Sequence, residues 1–241
     1  MSEGTFLQGQ RLVVVGAGAH TGRALARAAS AAGATVVLAG PDPRKLEATA
    51  GELSGPSEVL ALDLADERSI AGFAAPVGRF DHLVSTAAMP ANGPLKDLEL
   101  ADVQRAFSAK VIGPLLLAKH LAEQVSENGS FTFFSGVAAW RPAPARTVMA
   151  TTNGALAFLV QALAVEIAPV RVNAVSPGIV DTGSWDGLSA GKEAFLRGVA
   201  ERNPARRVGT TEDLVKAVFY AIDNPYVTGT VLHVDGGGRL A

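Results

Sequence analysis

The stretch RLVVVGAGAHTGRALARA, residues 11–28, sets the frame for the chain. An apolar run, Leu12 to Val15, breaks off at glycine, and glycines recur at 16, 18 and 22 before an alanine- and leucine-rich segment. That order reads as a strand turning into a helix. The backbone N–H groups and the dipole at such a helix start attract phosphate. Strand-to-helix turns also carry glycine merely to pack closely, so the loop by itself leaves both readings open. An acidic group at the end of the second strand would bind a ribose diol. Here that corner reads LAGPDP, and Gly40 and Pro41 supply no side-chain donor or acceptor.

Outward from this loop, short apolar runs alternate with longer helical patterns. The runs are RLVVVG, ATVVLAG, EVLAL, DHLVS, SFTFFS, VRVNAV and TVLHV. Helical patterns cover 21–32, 44–53, 67–75, 101–124, 147–168 and 212–222. Continuous apolar strands joined by helices predict a parallel sheet covered on both faces. Right-handed crossovers then give an α/β, Rossmann-type, doubly wound sheet of about seven strands. Nothing in the sequence marks a linker or repeat, so residues 1–241 are expected to form one domain.

Composition narrows the function. Charged residues make up only 18% and the net charge is −2, which offers no electrostatic reason to expect nucleic acid or an anionic membrane. The absence of cysteine excludes disulfides, thiolate metal sites and cysteine nucleophiles. His82, His120 and His233 show no ligand spacing, so no metal is expected. MSEGTFLQGQR has no basic region leading into an apolar run, and no run is expected to reach the roughly 18 residues that span a bilayer. A cytoplasmic protein is the expectation.

Taken together, the motifs resemble the short-chain dehydrogenase/reductase family over essentially the whole chain. VVVGAGAHTG resembles that family's Thr-Gly-x-x-x-Gly-x-Gly cofactor loop, which implies contacts from Gly16, Gly18, His20, Thr21 and Gly22, with Gly40 and Pro41 at the next strand end. LDLAD resembles the segment whose Asp, here Asp63, faces adenine with Leu64 beside it. LVSTAA, with Ala87, stands where the family has Asn-Asn-Ala-Gly. RVNAVSPGIVDT implies that Pro177, Gly178, Ile179 and Thr182 border the nicotinamide, and YVTGTVLHVDGG resembles the C-terminal signature. The cofactor implied is NADP or NAD. NADP is preferred because no acid stands at Gly40 to repel a 2′-phosphate, while Arg44 and Lys45 lie just downstream.

The resemblance also implies an Asn, Ser, Tyr and Lys tetrad, and there this sequence departs. Anchoring on NGALAFL and RVNAVSPG puts Met149 at the Tyr position and Asn153 at the Lys position. The Ser position falls on Gly136, one beyond Ser135, and the Asn position on Lys110. The only tyrosines are Tyr220 and Tyr226, and no lysine lies between Lys119 and Lys192. Lys110, Ser135 and Asn153 are the remaining candidates for chemistry. Lys110 could act as acid, base or electrostatic anchor with Asn153 as its partner, since a desolvated lysine has a lowered pKa. It could equally be a structural lysine snorkelling from its helix. His20 would either crowd a pyrophosphate or donate to it, and Trp185 would line the substrate pocket or anchor the lid around it.

Three functions follow as expectations. The first is an NAD(P)(H)-dependent oxidoreductase with an atypical site, acting on a small carbonyl, enone or imine. The second is a non-redox isomerase, dehydratase or cyclase on the same scaffold. The third is a ligand-binding or regulatory pseudoenzyme. The partners implied are a small-molecule substrate and further copies of the chain as a homotetramer, with Leu156, Leu159 and Leu163 on an outward apolar face.

Overall fold

The computed structural model describes residues 6–183 and 185–241. Each of the seven apolar runs is a strand: β1 (Arg11–Val15), β2 (Thr35–Gly40), β3 (Ser57–Ala61), β4 (Phe80–Ser85), β5 (Val125–Phe134), β6 (Arg171–Pro177) and, after two short strands, β9 (Val231–Val234). They form one sheet in the order β3-β2-β1-β4-β5-β6-β9, with every pairing parallel. Strand order reverses between β1 and β4, and the crevice outside that switch point is where such sheets bind ligands. Alternate residues of β1 face opposite layers, as the two-residue period demands. Val13 and Val15 join Phe131, Phe133 and Leu156 on one side, while Leu12 and Val14 join Leu25, Leu214 and Val218 on the other.

The helices are α1 (His20–Ala31), α2 (Pro43–Ala50), α3 (Glu67–Val77), α4 (Leu100–Phe107), α5 (Gly113–Leu121), α6 (Thr147–Glu166), α7 (Lys192–Arg202) and α8 (Thr211–Asp223). The helix expected over 101–124 runs unbroken through α4 and α5 but widens between them into a π-helical turn at Ser108–Ile112. Pro114 supplies the reason. It has no N–H to bond the Lys110 carbonyl one turn back, so the ladder widens there. Helix α7 and the two-residue pair β7 (Val180–Asp181) with β8 (Gly209–Thr210) had no apolar period to announce them.

Helix α6 corrects two expectations. It is long and apolar enough, by length and composition, to cross a membrane, contrary to the sequence reading. Yet Leu156, Val160 and Leu163 pack into the layer against the sheet, and each fully buried aliphatic side chain contributes about 1.5–3 kcal/mol. Leu156 and Leu163 therefore face inward and Leu159 is half-buried, so the outward apolar face expected on these three is not theirs. The outer face carries Phe158, 73% exposed, and Val165, 82% exposed.

Candidate active site

The glycine loop lies against the end of β4, beside the switch point. A Cβ at Gly16 would sit 2.8 Å from Thr86 Oγ1, one at Gly18 would sit 2.9 Å from the Lys45 Cβ, and one at Gly22 would run into the Gly16 carbonyl. Close packing thus accounts for all three glycines. The second reading survives beside the first: α1 opens with no side-chain cap, as α4, α6 and α7 also do, whereas α2, α3 and α8 are capped by Asp42, Asp66 and Thr210. The first-turn N–H groups of α1 are left for another acceptor. Residues that fit a dinucleotide diphosphate are therefore present, with Thr21 half-buried on the first turn.

The other expected cofactor residues take definite places. Gly40 is buried at the end of β2 and Pro41 is exposed beyond it; the Asp42 carboxylate just after accepts from the Arg44 and Lys45 N–H groups. Asp63 is exposed, its Oδ1 accepting from Ala65 N, and Leu64 is buried against Gly113. Ala87 follows Thr86, whose hydroxyl donates to the Val15 carbonyl. Pro177, Gly178 and Ile179 leave β6 under the C-terminal turn: Gly178 N donates to Val234 O, and a Cβ at Gly178 would lie 2.7 Å from the Asp235 Cα.

Ser135 and Asn153 meet just after β5, and Lys110 reaches the last carbonyl of that strand; contrary to expectation, Asn153 is not the hydrogen-bond partner of Lys110. The π turn points the Lys110 ammonium at the Phe134 carbonyl, 2.7 Å away, and Lys110 is only 6% exposed. Burial pushes its pKa down to about 8. The Ser135 hydroxyl donates to the Asn153 carbonyl at 2.9 Å, so it ties β5 to α6. Asn153 is 2% exposed, and its Oδ1 is buried without a hydrogen-bond partner among the described residues. Phe134 O is the one partner of the Lys110 ammonium among those residues, so a buried donor with spare hydrogens and a buried unpaired acceptor occur at one strand end. Buried polar groups are rarely left so.

Gly136 and Asn153 are matched. A Cβ at Gly136 would stand 2.8 Å from Asn153 Nδ2, so the asparagine occupies the room a side chain at 136 would need. Met149 lies one turn before Asn153 on α6, half-buried. Both tyrosines are exposed, on and after α8.

The remaining candidates resolve as scaffolding. His82 bonds Ser130 and Gln10, and burial pushes its pKa down to about 4. His120 reaches Glu67, and His233 stacks edge-on with Trp140. The Trp185 indole donates to the Val180 carbonyl and packs on Phe195. Sequence reasoning missed Thr86 beneath the glycine loop, and it missed Lys192 bridging Asp181 at 2.9 Å and Asp186 at 2.7 Å. The close sequence spacing of those charges was the available signal for the second; the first had none.

Comparison with known proteins decides the family. Residues 16–238 match the family model described as enoyl-(acyl carrier protein) reductase. The chain is 32% identical to the short-chain dehydrogenase/reductase ucsE of an Acremonium species, over 98% of this chain and 97% of that one. It belongs to the short-chain dehydrogenase/reductase family. Within that family, a small-chain dehydrogenase solved in complex with NADPH superposes with a TM-score of 0.83 at 32% identity, covering 96% of this chain and 99% of the other. The MalC reductase/Diels-Alderase of Malbranchea aurantiaca superposes at 0.91 with 27% identity and 98% of both chains covered.

Proposed function

We propose that this short-chain dehydrogenase/reductase is an NADP(H)-dependent reductase of a small carbonyl, enone or imine, working without a tyrosine acid. The observation that carries the reading is a buried ammonium, held by the last carbonyl of β5 and with hydrogens to spare, together with a buried amide oxygen without a partner on α6. The uncapped start of α1, the close contact of the glycine loop with Thr86, and the NADPH complex of a relative support the nucleotide. Bound nucleotide would supply the hydride. Lys110 then holds the substrate oxygen or nitrogen and passes it a proton as the acceptor carbon is reduced, and the resulting amine regains its proton from water. Asn153 Oδ1 accepts from the ribose or the substrate. Turnover driven by an ammonium donor falls as the pH rises above about 8.

The expected results are quenching or enhancement of nicotinamide fluorescence on titration with NADPH, and NADPH oxidation with at least one compound in a carbonyl, enone and imine panel. Absence of any nucleotide signal at millimolar concentration overturns the reading. A second reading draws on the MalC reductase/Diels-Alderase, whose name joins reduction to ring formation on this fold. On that reading the pocket orients a substrate for cyclisation, where positioning lowers a barrier by roughly 7–11 kcal/mol at best. Conversion of substrate without NADPH consumption would favour it.

We also propose a homo-oligomer, a tetramer, built on the outer faces of α5 and α6. Ile112, Leu115, Phe158 and Val165 are exposed there, a set better suited to a subunit contact than to water. Light scattering at micromolar concentration should give a multiple of the monomer mass, and a monomer would overturn the proposal.

A further inference from the structure

The residue between Ala19 and Thr21 carries a conformation that its side chain does not favour. His20 has φ +48°, in the left-handed region. That conformation costs a side-chain-bearing residue about 1–2 kcal/mol relative to the right-handed one. Glycine would adopt it freely. The histidine makes a contact that glycine cannot: its Nδ1 lies 2.9 Å from the Thr182 carbonyl, across 162 residues of sequence. Because a carbonyl only accepts, Nδ1 carries the proton and donates.

The receiving side is shaped for the ring. Gly183 has φ +87°, and a Cβ there would lie 3.2 Å from His20 Nδ1 and 3.4 Å from Asp186 Oδ2. Glycine at 183 therefore clears the imidazole and turns the chain beneath it. Beyond that turn the segment holds together internally. Val180 and Asp181 pair with Gly209 and Thr210, Trp185 donates back to Val180 O, and Lys192 pins Asp181 to Asp186. Movement at Thr182 is thus carried into a body that includes the start of α7 rather than being absorbed by a slack loop.

We propose that His20 is a positioning residue that clasps the lid, at Thr182, to the glycine loop, so that nucleotide binding at the loop and order in the lid are coupled. The inference rests on the cofactor reading above for the nucleotide, while the clasp itself belongs to the ligand-free protein. His20 opens α1, the helix whose first turn is uncapped. An anion settling there orders the same turn that holds Thr182. By reciprocity, the factor by which nucleotide favours the ordered lid is the factor by which the ordered lid favours nucleotide.

Hydrogen exchange of the lid amides tests this in wild type, His20→Gly and His20→Asn, each without ligand and with NADPH. Glycine and asparagine both accept positive φ, so the turn survives while the reach to Thr182 is lost. Without ligand, lid exchange is expected to quicken about tenfold in both variants, the equivalent of about 1.4 kcal/mol. With NADPH, the wild type should protect loop and lid together, and the variants the loop alone. Equal lid exchange in all three ligand-free proteins would overturn the clasp, and NADPH protection of the lid that persists in both variants would overturn the coupling. NADPH that protects nothing in the wild type refutes the cofactor reading instead, leaving the ligand-free comparison to decide the clasp.

Discussion

The two sides of the crevice have been treated differently by the same sequence. At the glycine loop, Gly16, Gly18 and Gly22 stand where any side chain would strike Thr86, Lys45 or a backbone carbonyl, and only His20 departs from small residues. At the end of β5, Lys110, Gly136, Met149 and Asn153 stand where the family resemblance leads one to expect Asn, Ser, Tyr and Lys. The first side is constrained by backbone packed on backbone, which tolerates no volume. The second is constrained by side chains packed on side chains, where one change can compensate another. Gly136 and Asn153 share one volume in this way.

The largest expected effect falls on the rebuilt side. Lys110→Met should lower turnover by about 10²–10⁴-fold, the usual loss for a general acid, with NADPH affinity moving much less. Steady-state kinetics with a direct nucleotide titration separates the two quantities. Full turnover in the variant would break the contrast by removing the only ionisable group proposed for the rebuilt side.

Next comes stability against pH. The folded protein releases the Lys110 proton near pH 8, whereas an unperturbed lysine keeps it to 10.5. Between those values the unfolded chain binds more protons, so stability rises with pH, and below 8 this contribution is flat. The span corresponds to about 3 kcal/mol. Urea melts at pH 7 and pH 10.5 should show this gain in wild type and lose it in Lys110→Met; an identical pH profile in both would place the charge outside the core.

A smaller effect sharpens the idea of compensation. Gly136→Ser should destabilise by about 1–3 kcal/mol through overpacking, and most of that should return when Asn153→Ala is added. A double-mutant cycle with no coupling energy would show that the two positions vary independently. The smallest effect belongs to the glycine-loop side. Arg44 is exposed, so Arg44→Ala should weaken NADPH binding by no more than about fivefold, the scale of a solvent-screened ion pair, and leave NADH unchanged. Calorimetry with both nucleotides checks it, and an equal loss for both would remove Arg44 from any role at the 2′-phosphate.

What was legible in the sequence follows from how locally each feature is determined. The seven strands could be read because each is a run of apolar residues buried on both faces. The placing of Lys110, Ser135 and Asn153 around the end of β5 could be anticipated only through resemblance, and the hydrogen bond expected between Lys110 and Asn153 is not made, because Phe134 O takes the ammonium. The inward turn of Leu156 and Leu163 could not, because α6 is apolar on nearly every face and offers no stripe from which to choose. His20 and Thr182 were each singled out, but 162 residues of chain separate them, and their contact depends on a backbone angle that composition does not disclose. The ion triad of Lys192 lies in a segment whose charges show no period at all.

The wide turn at Ser108–Ile112 makes the aim of Lys110 a question of phase. In an α-helix each residue advances the chain by about 100°. Deleting one residue from the turn would swing Lys110 by about that angle relative to α5 and carry its ammonium off the Phe134 carbonyl. Every side chain would remain the same. Chain length within the turn, as well as the identity of residue 110, thus sets whether the end of β5 holds a cation, and a scan of substitutions alone would never sample that variable.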